Sequence, residues 1–202
     1  MTPPESDEFS SAGLGLQWQW QANRQPNWAF TAPALGFLRL FNVPAPEGFR
    51  NLWDAPNLLL QKFPAAEFTA TTKVEFSPQT DGEKTGLIVM GLDYAYLALE
   101  KRPDGVHVTQ RLCKDADQGS AEEQGPDQPL STSDVFLRVR VSGEAVCQFS
   151  YSADGTQFLP IGEPFKARKG KWIGAKVGIF AIRSGMTNET GYADYDWFRI
   201  DK

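Results

Sequence analysis

A chain of 202 residues can bury a core without metal ions or disulfide bonds, and its length fits a single domain. The formal net charge of −5 gives no electrostatic footprint for nucleic acid or for an anionic membrane, so both are excluded as expected partners. No apolar run approaches the ~18 residues of a membrane span, and the first residues lack the features of a signal peptide. These features do not assign the chain to a cellular compartment.

The first residues are polar and rich in proline, so we expect residues 1–6 to be a linker and residues 7–202 to form one domain. The opening stretch, residues 14–20, alternates strictly between large apolar and small or polar residues. This pattern predicts a strand with Leu14, Leu16, Trp18 and Trp20 on its core face. Its other face carries glutamines, which are either an ordinary solvated surface or a polar floor for a hydroxylated ligand.

Short strands separated by turn signals follow along the rest of the chain. They are predicted at residues 28–30 and 37–41, which form a hairpin, and then at 57–62, 68–76, 85–90, 94–100, 106–111, 135–141, 145–151, 175–182 and 193–200. Residues 42–56 and 114–129 are predicted loops, the second a mobile one, and Phe49 and Trp53 are aromatics at the edge of the first.

No segment shows a convincing helical period, so the fold class is all-β. One sheet of this many strands would curl or split, which favours a two-sheet antiparallel β-sandwich, or jelly roll. We expect its core to contain Trp18 or Trp20 together with Val74, Val139, Val177 and Ile179.

Catalytic and metal-binding signals are sparse. The single histidine, His107, is expected on the exposed face of a strand with nothing beside it to build a triad. Cys113 and Cys147 lie far apart without histidines at metal spacing and are expected to be buried free thiols. Asp194 and Asp196 share one strand, which is poor geometry for two opposed catalytic acids.

A structural calcium site is a further candidate, because calcium requires several oxygen ligands. The residues considered for it are Asp196 and a carboxylate near Asp7 or Glu8. Solvated aspartates at strand ends explain the same residues equally simply. No other cofactor is expected.

Aromatic and amide residues provide the remaining functional signal. Six tryptophans, five tyrosines and fourteen phenylalanines exceed what one core requires, and sugar rings stack on flat aromatic surfaces while hydroxyls pair with polar side chains. The alternative is that most of these aromatics belong to the core. The candidate carbohydrate contacts, expected to line one concave face, are Gln17, Gln19, Trp53, Gln61, Tyr94, Tyr96, Phe180 and Arg183.

Seven ordered blocks resemble a known family. They are Asp7-Glu-Phe, Leu14-Gly-Leu-Gln-Trp-Gln-Trp20, Asn57-Leu-Leu-Leu-Gln61, Gly91-Leu-Asp-Tyr-Ala-Tyr96, Phe149-Ser-Tyr-Ser-Ala-Asp-Gly155, Gly174-Ala-Lys-Val-Gly-Ile-Phe180 and Ala193-Asp-Tyr-Asp-Trp-Phe-Arg199. Together they resemble the C-terminal concanavalin A-like domain of glycoside hydrolase family 43 β-xylosidases, also classed as carbohydrate-binding module family 91. The resemblance spans residues 7 to 201 and implies a jelly roll that follows a five-bladed propeller.

In that family the catalytic carboxylates lie in the propeller, and these 202 residues show no propeller repeat. The resemblance therefore implies a non-catalytic accessory module that binds xylan or xylo-oligosaccharides. The alternative is a structural domain that packs on the propeller and completes the rim of its active site. An independent glycosidase of the sandwich type is the least favoured interpretation.

Overall fold

The computed structural model describes residues 3–171, 173–186 and 188–202. Over these residues the fold is all-β, as predicted, with sixteen strands in two eight-stranded sheets and three short 3₁₀ turns in place of helices. The 3₁₀ turns are Leu52–Asp54, Ala116–Gln118 and Gly143–Ala145. No helix in the described part of the chain has the length and apolar character needed to span a membrane.

The first sheet has the strand order β1-β5-β15-β7-β8-β9-β10, with β4 pairing in parallel with β15. Its strands are β1 (Gln19–Trp20), β4 (Val43–Pro44), β5 (Leu59–Lys62), β7 (Lys84–Met90), β8 (Tyr94–Arg102), β9 (Gly105–Cys113), β10 (Glu123–Leu130) and β15 (Lys176–Arg183).

The second sheet has the order β13-β12-β11-β6-β16-β3-β2, with β14 pairing with β12. Its strands are β2 (Ala29–Ala32), β3 (Phe37–Phe41), β6 (Phe68–Ser77), β11 (Asp134–Ser142), β12 (Val146–Ser152), β13 (Leu159–Pro160), β14 (Phe165–Lys166) and β16 (Tyr192–Asp201). The predicted hairpin is β2 and β3, which pair antiparallel.

The main core fills the space between the two sheets. Alternation in β6 turns Phe68, Ala70, Val74 and Phe76 inward, where they meet inward residues of the first sheet such as Leu97. The core members predicted from the sequence are confirmed, with Trp18 as the buried indole: Val74, Val139, Val177 and Ile179 are all buried there. Cys147 is a free thiol in this core, and burial raises its pKa to about 12.

A second apolar cluster covers the outer face of the first sheet. It joins outward residues of β5, β7, β8 and β15 to a segment that crosses over them. The members are Leu52, Ala55, Leu58, Leu60, Ile88, Met90, Tyr94, Tyr96, Ala98, Cys113, Ala116, Phe180 and Ile182. Strands β7 and β15 are therefore buried on both faces, which explains their nearly continuous apolar sequences.

Two sequence predictions of local structure are wrong. The opening strand contains only Gln19 and Trp20, because residues 15–18 form a turn closed by the Trp18 N–H donating to the Gly15 carbonyl over 3.1 Å. Leu16 consequently points outward, with 89% of its surface exposed. Part of the predicted mobile loop is the edge strand β10, which tolerates Pro126 and Pro129 because it pairs with β9 alone and shifts register.

Candidate functional site

The eight predicted carbohydrate contacts do not share one face. Gln61 pairs with Val177, and both project toward the inner side, whereas Tyr94 and Tyr96 belong to the cluster on the outer face. Strands β5 and β8 are also separated by β15 and β7. The expected common floor of glutamines and tyrosines is thus corrected to two separate places.

The three glutamines line one cleft of about 350 Å³ near the amino terminus. Gln61 is buried and its Nε2 donates to the Glu5 carbonyl over 3.0 Å, while Gln17 Nε2 reaches Asp7 Oδ2 at 3.3 Å. Gln19 is exposed. Residues 5 and 6, which fall in the predicted linker, contact the sandwich, since Ser6 Oγ also accepts the Ile200 N–H.

The two tyrosines form the centre of the outer-face cluster. Tyr94, Tyr96 and Phe180 are 0% exposed. Both phenols donate to the Glu122 carboxylate, Tyr94 over 2.7 Å and Tyr96 over 3.0 Å. Burial, and then the negative charge of Glu122, raises the pKa of both phenols well above its ordinary value. These rings cannot touch a sugar in this conformation.

The covering segment, residues 45–57, seals the tyrosines from solvent. The Leu52 N–H donates to the Tyr94 hydroxyl over 2.9 Å. Buried Asn51 donates to the Ala116 and Ser120 carbonyls, and it also accepts the Trp53 N–H. Asn57 Nδ2 donates to the Ala181 carbonyl over 2.6 Å. The segment is therefore attached to the sandwich through the side chains of Asn51 and Asn57.

The outer side of the covering segment presents an aromatic side chain. Phe49 follows Gly48, which has a φ of +73°, and keeps 37% of its surface exposed. It lines a small cavity of about 60 Å³ with Lys84, Glu122 and Arg183. Arg183 is buried and donates to the Glu189 carbonyl, so it is part of the fixed framework.

A larger cleft of about 430 Å³ lies on another side of the same segment. Its walls include Gln21, Trp53, Ile173 and Lys176. Trp53 is half-buried and packs against the outer-face cluster. It thus lies apart from the glutamines with which it was predicted to act.

His107 differs from its prediction. Its ring is buried, with Nδ1 at 2.6 Å from Asp127 and Nε2 at 3.1 Å from Asp104. Arg102 also pairs with Asp127. The contact with Asp127 could not be predicted from the sequence pattern, because β10 falls in the range predicted to be a loop.

The candidate calcium ligands are engaged in separate contacts. Asp7 accepts from the Phe9 N–H and the Trp18 indole, whereas Asp196 pairs with Lys73 at 2.6 Å. A bulge between Tyr195 and Trp197 separates Asp196 from Asp194, which binds Arg39. Within the described ranges, no three His, Cys, Asp or Glu side chains group as a metal site.

A family model described as the β-xylosidase C-terminal concanavalin A-like domain matches residues 6–201. The chain belongs to this family. The match covers nearly the whole sandwich, so the fold and the family expected from the seven sequence blocks are confirmed. The parent proteins of this domain family are glycoside hydrolases.

Individual relatives agree with this assignment. A β-xylosidase of Formosa agariphila is 28% identical over 219 aligned positions, covering 98% of this chain and 35% of the relative. A non-reducing end α-L-arabinofuranosidase of Bacteroides ovatus is 27% identical over 206 positions, covering 98% of this chain and 37% of the relative. The chain thus spans about a third of the length of these curated relatives.

Solved structures show the same fold. A glycoside hydrolase family 43 protein of Bacillus licheniformis superposes with a TM-score of 0.81 at 23% identity, covering 96% of this chain and 38% of that one. A Zobellia galactanivorans protein crystallised with laminaritriose and laminaritetraose superposes with a TM-score of 0.62 at 11% identity, covering 100% of this chain and 99% of that one. Both likenesses concern the fold alone.

One sequence signal could have revealed that the outer face of this β-xylosidase-type domain is covered. Strand β7 contains Leu87-Ile-Val-Met90 and strand β15 contains Ile179-Phe-Ala-Ile182. Neither run contains a polar residue. Such runs are typical of strands that are buried on both faces. The phenol groups of Tyr94 and Tyr96 suggested a polar face, although the neighbouring strands are apolar on that side.

Proposed function

We propose that this chain is the non-catalytic accessory domain of a family 43 glycoside hydrolase of the β-xylosidase or α-L-arabinofuranosidase type, and that it packs on the catalytic domain and contributes to the rim of its active site. The observation that favours packing over xylan binding is the complete burial of Tyr94, Tyr96 and Phe180 beneath the covering segment. The aromatic platform that xylan binding would use is part of an apolar core.

The size of the relatives supports a packing role. The β-xylosidase and the arabinofuranosidase devote about two thirds of their length to sequence outside the matched region. That length is ample for a catalytic domain in the same polypeptide. A tethered neighbour of this size is the natural occupant of an ordered apolar surface on the accessory domain.

The covering segment is the surface best suited to this contact. Its inner side is fixed by Asn51 and Asn57, and its outer side holds Phe49 partly exposed. The Arg50 guanidinium pairs with Asp54 at 2.9 Å and stiffens the same turn. An exposed aromatic on a rigid loop loses little conformational entropy on association, which makes it a good anchor in an interface.

The arrangement of carboxylates supports the non-catalytic assignment. Glycoside hydrolysis requires two carboxyl groups that flank a bound sugar. On the outer face Glu122 is occupied by two phenols, and Glu100 is shared by Arg102 and Arg111. Asp127 is held by His107 and Arg102. These three carboxylates are therefore all engaged in contacts within the fold.

Phe49→Ala in the longer enzyme that carries this domain should lower kcat/KM on an aryl-xyloside or aryl-arabinofuranoside by about tenfold, the loss expected of one aromatic anchor. The reason is that Phe49 would no longer order the rim of the active site. Steady-state kinetics with both glycosides measure the effect. Leu35→Ala, which shortens another exposed apolar side chain in the turn of the β2–β3 hairpin, is the control; Leu35 keeps 74% of its surface exposed, against 37% for Phe49. Wild-type kinetics for Phe49→Ala, with the variant folded, would contradict the packing proposal.

Xylan binding at the glutamine cleft is the second candidate, favoured by the convergence of Gln17, Gln19 and Gln61 on one cleft. If the packing proposal holds, isothermal titration of the chain with unsubstituted xylohexaose should detect no binding. Millimolar or tighter binding that weakens in Gln19→Ala by about threefold to tenfold, the worth of one hydrogen bond, would support the second candidate instead. Gln124→Ala, at an exposed position on edge strand β10, provides the control.

A further inference from the structure

The cleft of about 430 Å³ contains a cation that lacks a counter-ion. Lys176 opens β15, is half-buried, and donates from Nζ to the neutral Gln21 Oε1 over 3.0 Å. Within residues 3–171, 173–186 and 188–202, no carboxylate forms an ion pair with it. Burial alone lowers the pKa of this lysine. Lys171, on the wall of the same cleft, does have a counter-ion, because its Nζ lies 3.4 Å from an Asp117 carboxylate oxygen.

A second lysine increases the positive charge beside the cleft. Lys62 is the Cα partner of Lys176 on the neighbouring strand β5. Residues directly opposite each other in an antiparallel pair project from the same face, so both lysine side chains leave the sheet on one side, although Lys62 lines the neighbouring glutamine cleft. Like charges at such positions are unfavourable unless an anion lies between them or solvent screens them. The local charge therefore favours an anionic ligand.

Apart from Lys171, the remaining side chains described along the cleft walls are apolar. Trp53 lines this part of the cleft with Lys171 Nζ 5.9 Å from its ring centroid, and its backbone N–H is held by Asn51 Oδ1 at 2.8 Å. Met90 and Ile173 add apolar lining among the described residues. Gly91 lets the opposite wall approach closely, because a Cβ atom at this position would lie 1.7 Å from the Arg168 carbonyl oxygen. The backbone that carries Trp53 is thus held in place opposite a closely packed wall.

We propose that this cleft binds a carboxylated pyranose, that is, a uronic acid residue of a polysaccharide, with the sugar ring on Trp53 and the carboxylate on Lys176. A flat ring with an apolar C–H face matches the indole, and a single carboxylate matches a single half-buried ammonium group. Gln21 Oε1 and its amide can pair with ring hydroxyls once Lys176 turns to the carboxylate. The site is independent of whether the domain packs on a catalytic domain.

The choice of a uronic acid over other anions follows from the composition of the walls. A phosphate would require several donors around its oxygens, whereas the described side chains along this cleft offer two lysines, one of them already paired with Asp117, and one amide. A neutral sugar would use the indole and leave Lys176 without a counter-charge. A free carboxylate would use Lys176 and leave the apolar wall uncovered.

Three probes separate these possibilities in two-dimensional ¹H–¹⁵N NMR titrations of the chain. They are methyl α-D-glucopyranosiduronic acid, the neutral methyl α-D-glucopyranoside, and sodium acetate. The uronide should shift the Trp53 indole and the Gly91 and Gly174 amides saturably, with an affinity at least about tenfold above that of the glucoside and of acetate. Equal affinity for uronide and glucoside would overturn the role of Lys176, and equal affinity for uronide and acetate would overturn the sugar assignment. Absence of saturable shifts at these positions would overturn the site itself.

Two variants and one control test the residues. Lys176→Gln should weaken uronide binding by at least about tenfold and leave glucoside binding unchanged, because it removes one charge-assisted hydrogen bond. Trp53→Ala should weaken both ligands. Lys114→Gln, which removes one exposed lysine outside the cleft, should change neither. In the wild-type chain, the pKa of Lys176, followed by NMR of its Cε, should rise with uronide and stay constant with glucoside. Two results would refute the proposal: undiminished uronide binding by Lys176→Gln, or a constant pKa of Lys176 in both titrations.

Discussion

Tyr96→Ala should destabilise the domain by about 3–5 kcal/mol, the usual cost of deleting a fully buried aromatic side chain. Tyr96 is 0% exposed, and its ring lies 6.2 Å from Tyr94 and 5.2 Å from Phe180, measured between centroids. Removing it leaves a cavity beneath the covering segment and takes one phenol from Glu122. The free energy of unfolding in urea measures the loss.

The conservative variant separates packing from hydrogen bonding. Tyr96→Phe keeps the ring and should cost only about 1 kcal/mol, the net worth of a typical hydrogen bond. A tyrosine that serves as an exposed sugar platform would behave differently, because its replacement by alanine changes stability by about 0.5 kcal/mol or less. Such a small loss for Tyr96→Ala would show that the outer face is open to solvent.

Trp18→Ala should also cost about 3–5 kcal/mol. Its indole is buried 5.1 Å from Phe198 and 6.0 Å from Phe9, and Nε1 donates to Asp7 over 2.9 Å. The substitution removes aromatic packing and leaves Asp7 without its closest side-chain donor, so both effects destabilise the fold. Urea unfolding monitored by far-ultraviolet circular dichroism provides the measurement.

Trp20 is the matched comparison for Trp18. It is half-buried and contacts Trp28 at 5.5 Å between ring centroids. Trp20→Ala should therefore cost clearly less than Trp18→Ala, about 1–2 kcal/mol, because part of the indole is already exposed to water. The reverse order would mean that residues 15–18 do not form the turn that carries Trp18 into the core.

Most of the fold could be predicted from residue patterns. Alternation in β6, β11 and β12 and the turns between strands identify the sandwich, because period-two burial is a local property of each strand. The opening stretch shows the limit of this reasoning. Its residues alternate strictly, yet the Trp18 N–H donates to the Gly15 carbonyl, which closes a turn and exposes Leu16.

The candidate site was harder to predict because it depends on contacts between distant segments. Nothing in the sequence of residues 45–57 states that Leu52 will cap Tyr94 or that Asn51 will reach Ala116. The phenol hydroxyls of Tyr94 and Tyr96 suggested contacts to a ligand. In the fold both hydroxyls donate to the Glu122 carboxylate instead. Gln17, Gln19 and Gln61 do converge on one cleft, because β1 pairs with β5 and the turn that holds Gln17 comes directly before β1.

The ionisation of the two phenols tests most directly whether the outer face is sealed. The pKa of Tyr94 and Tyr96 is raised from 10.0 by burial and by the charge of Glu122, so both stay protonated in the folded chain above that pH. Unfolded phenols ionise there, so this contribution to stability is complete below about pH 10 and is lost as the pH rises above it.

The measurement is ¹³Cζ tyrosine NMR of the chain from about pH 9 to about pH 11, with Tyr94→Phe and Tyr96→Phe used to assign the two signals. The burial of the tyrosines predicts that neither signal shifts while the domain remains folded, and that both change only together with unfolding. A signal from either residue that titrates near its ordinary pKa in the folded domain would contradict the sealed face, and with it the proposal that this domain packs on an enzyme rather than holding xylan on this surface.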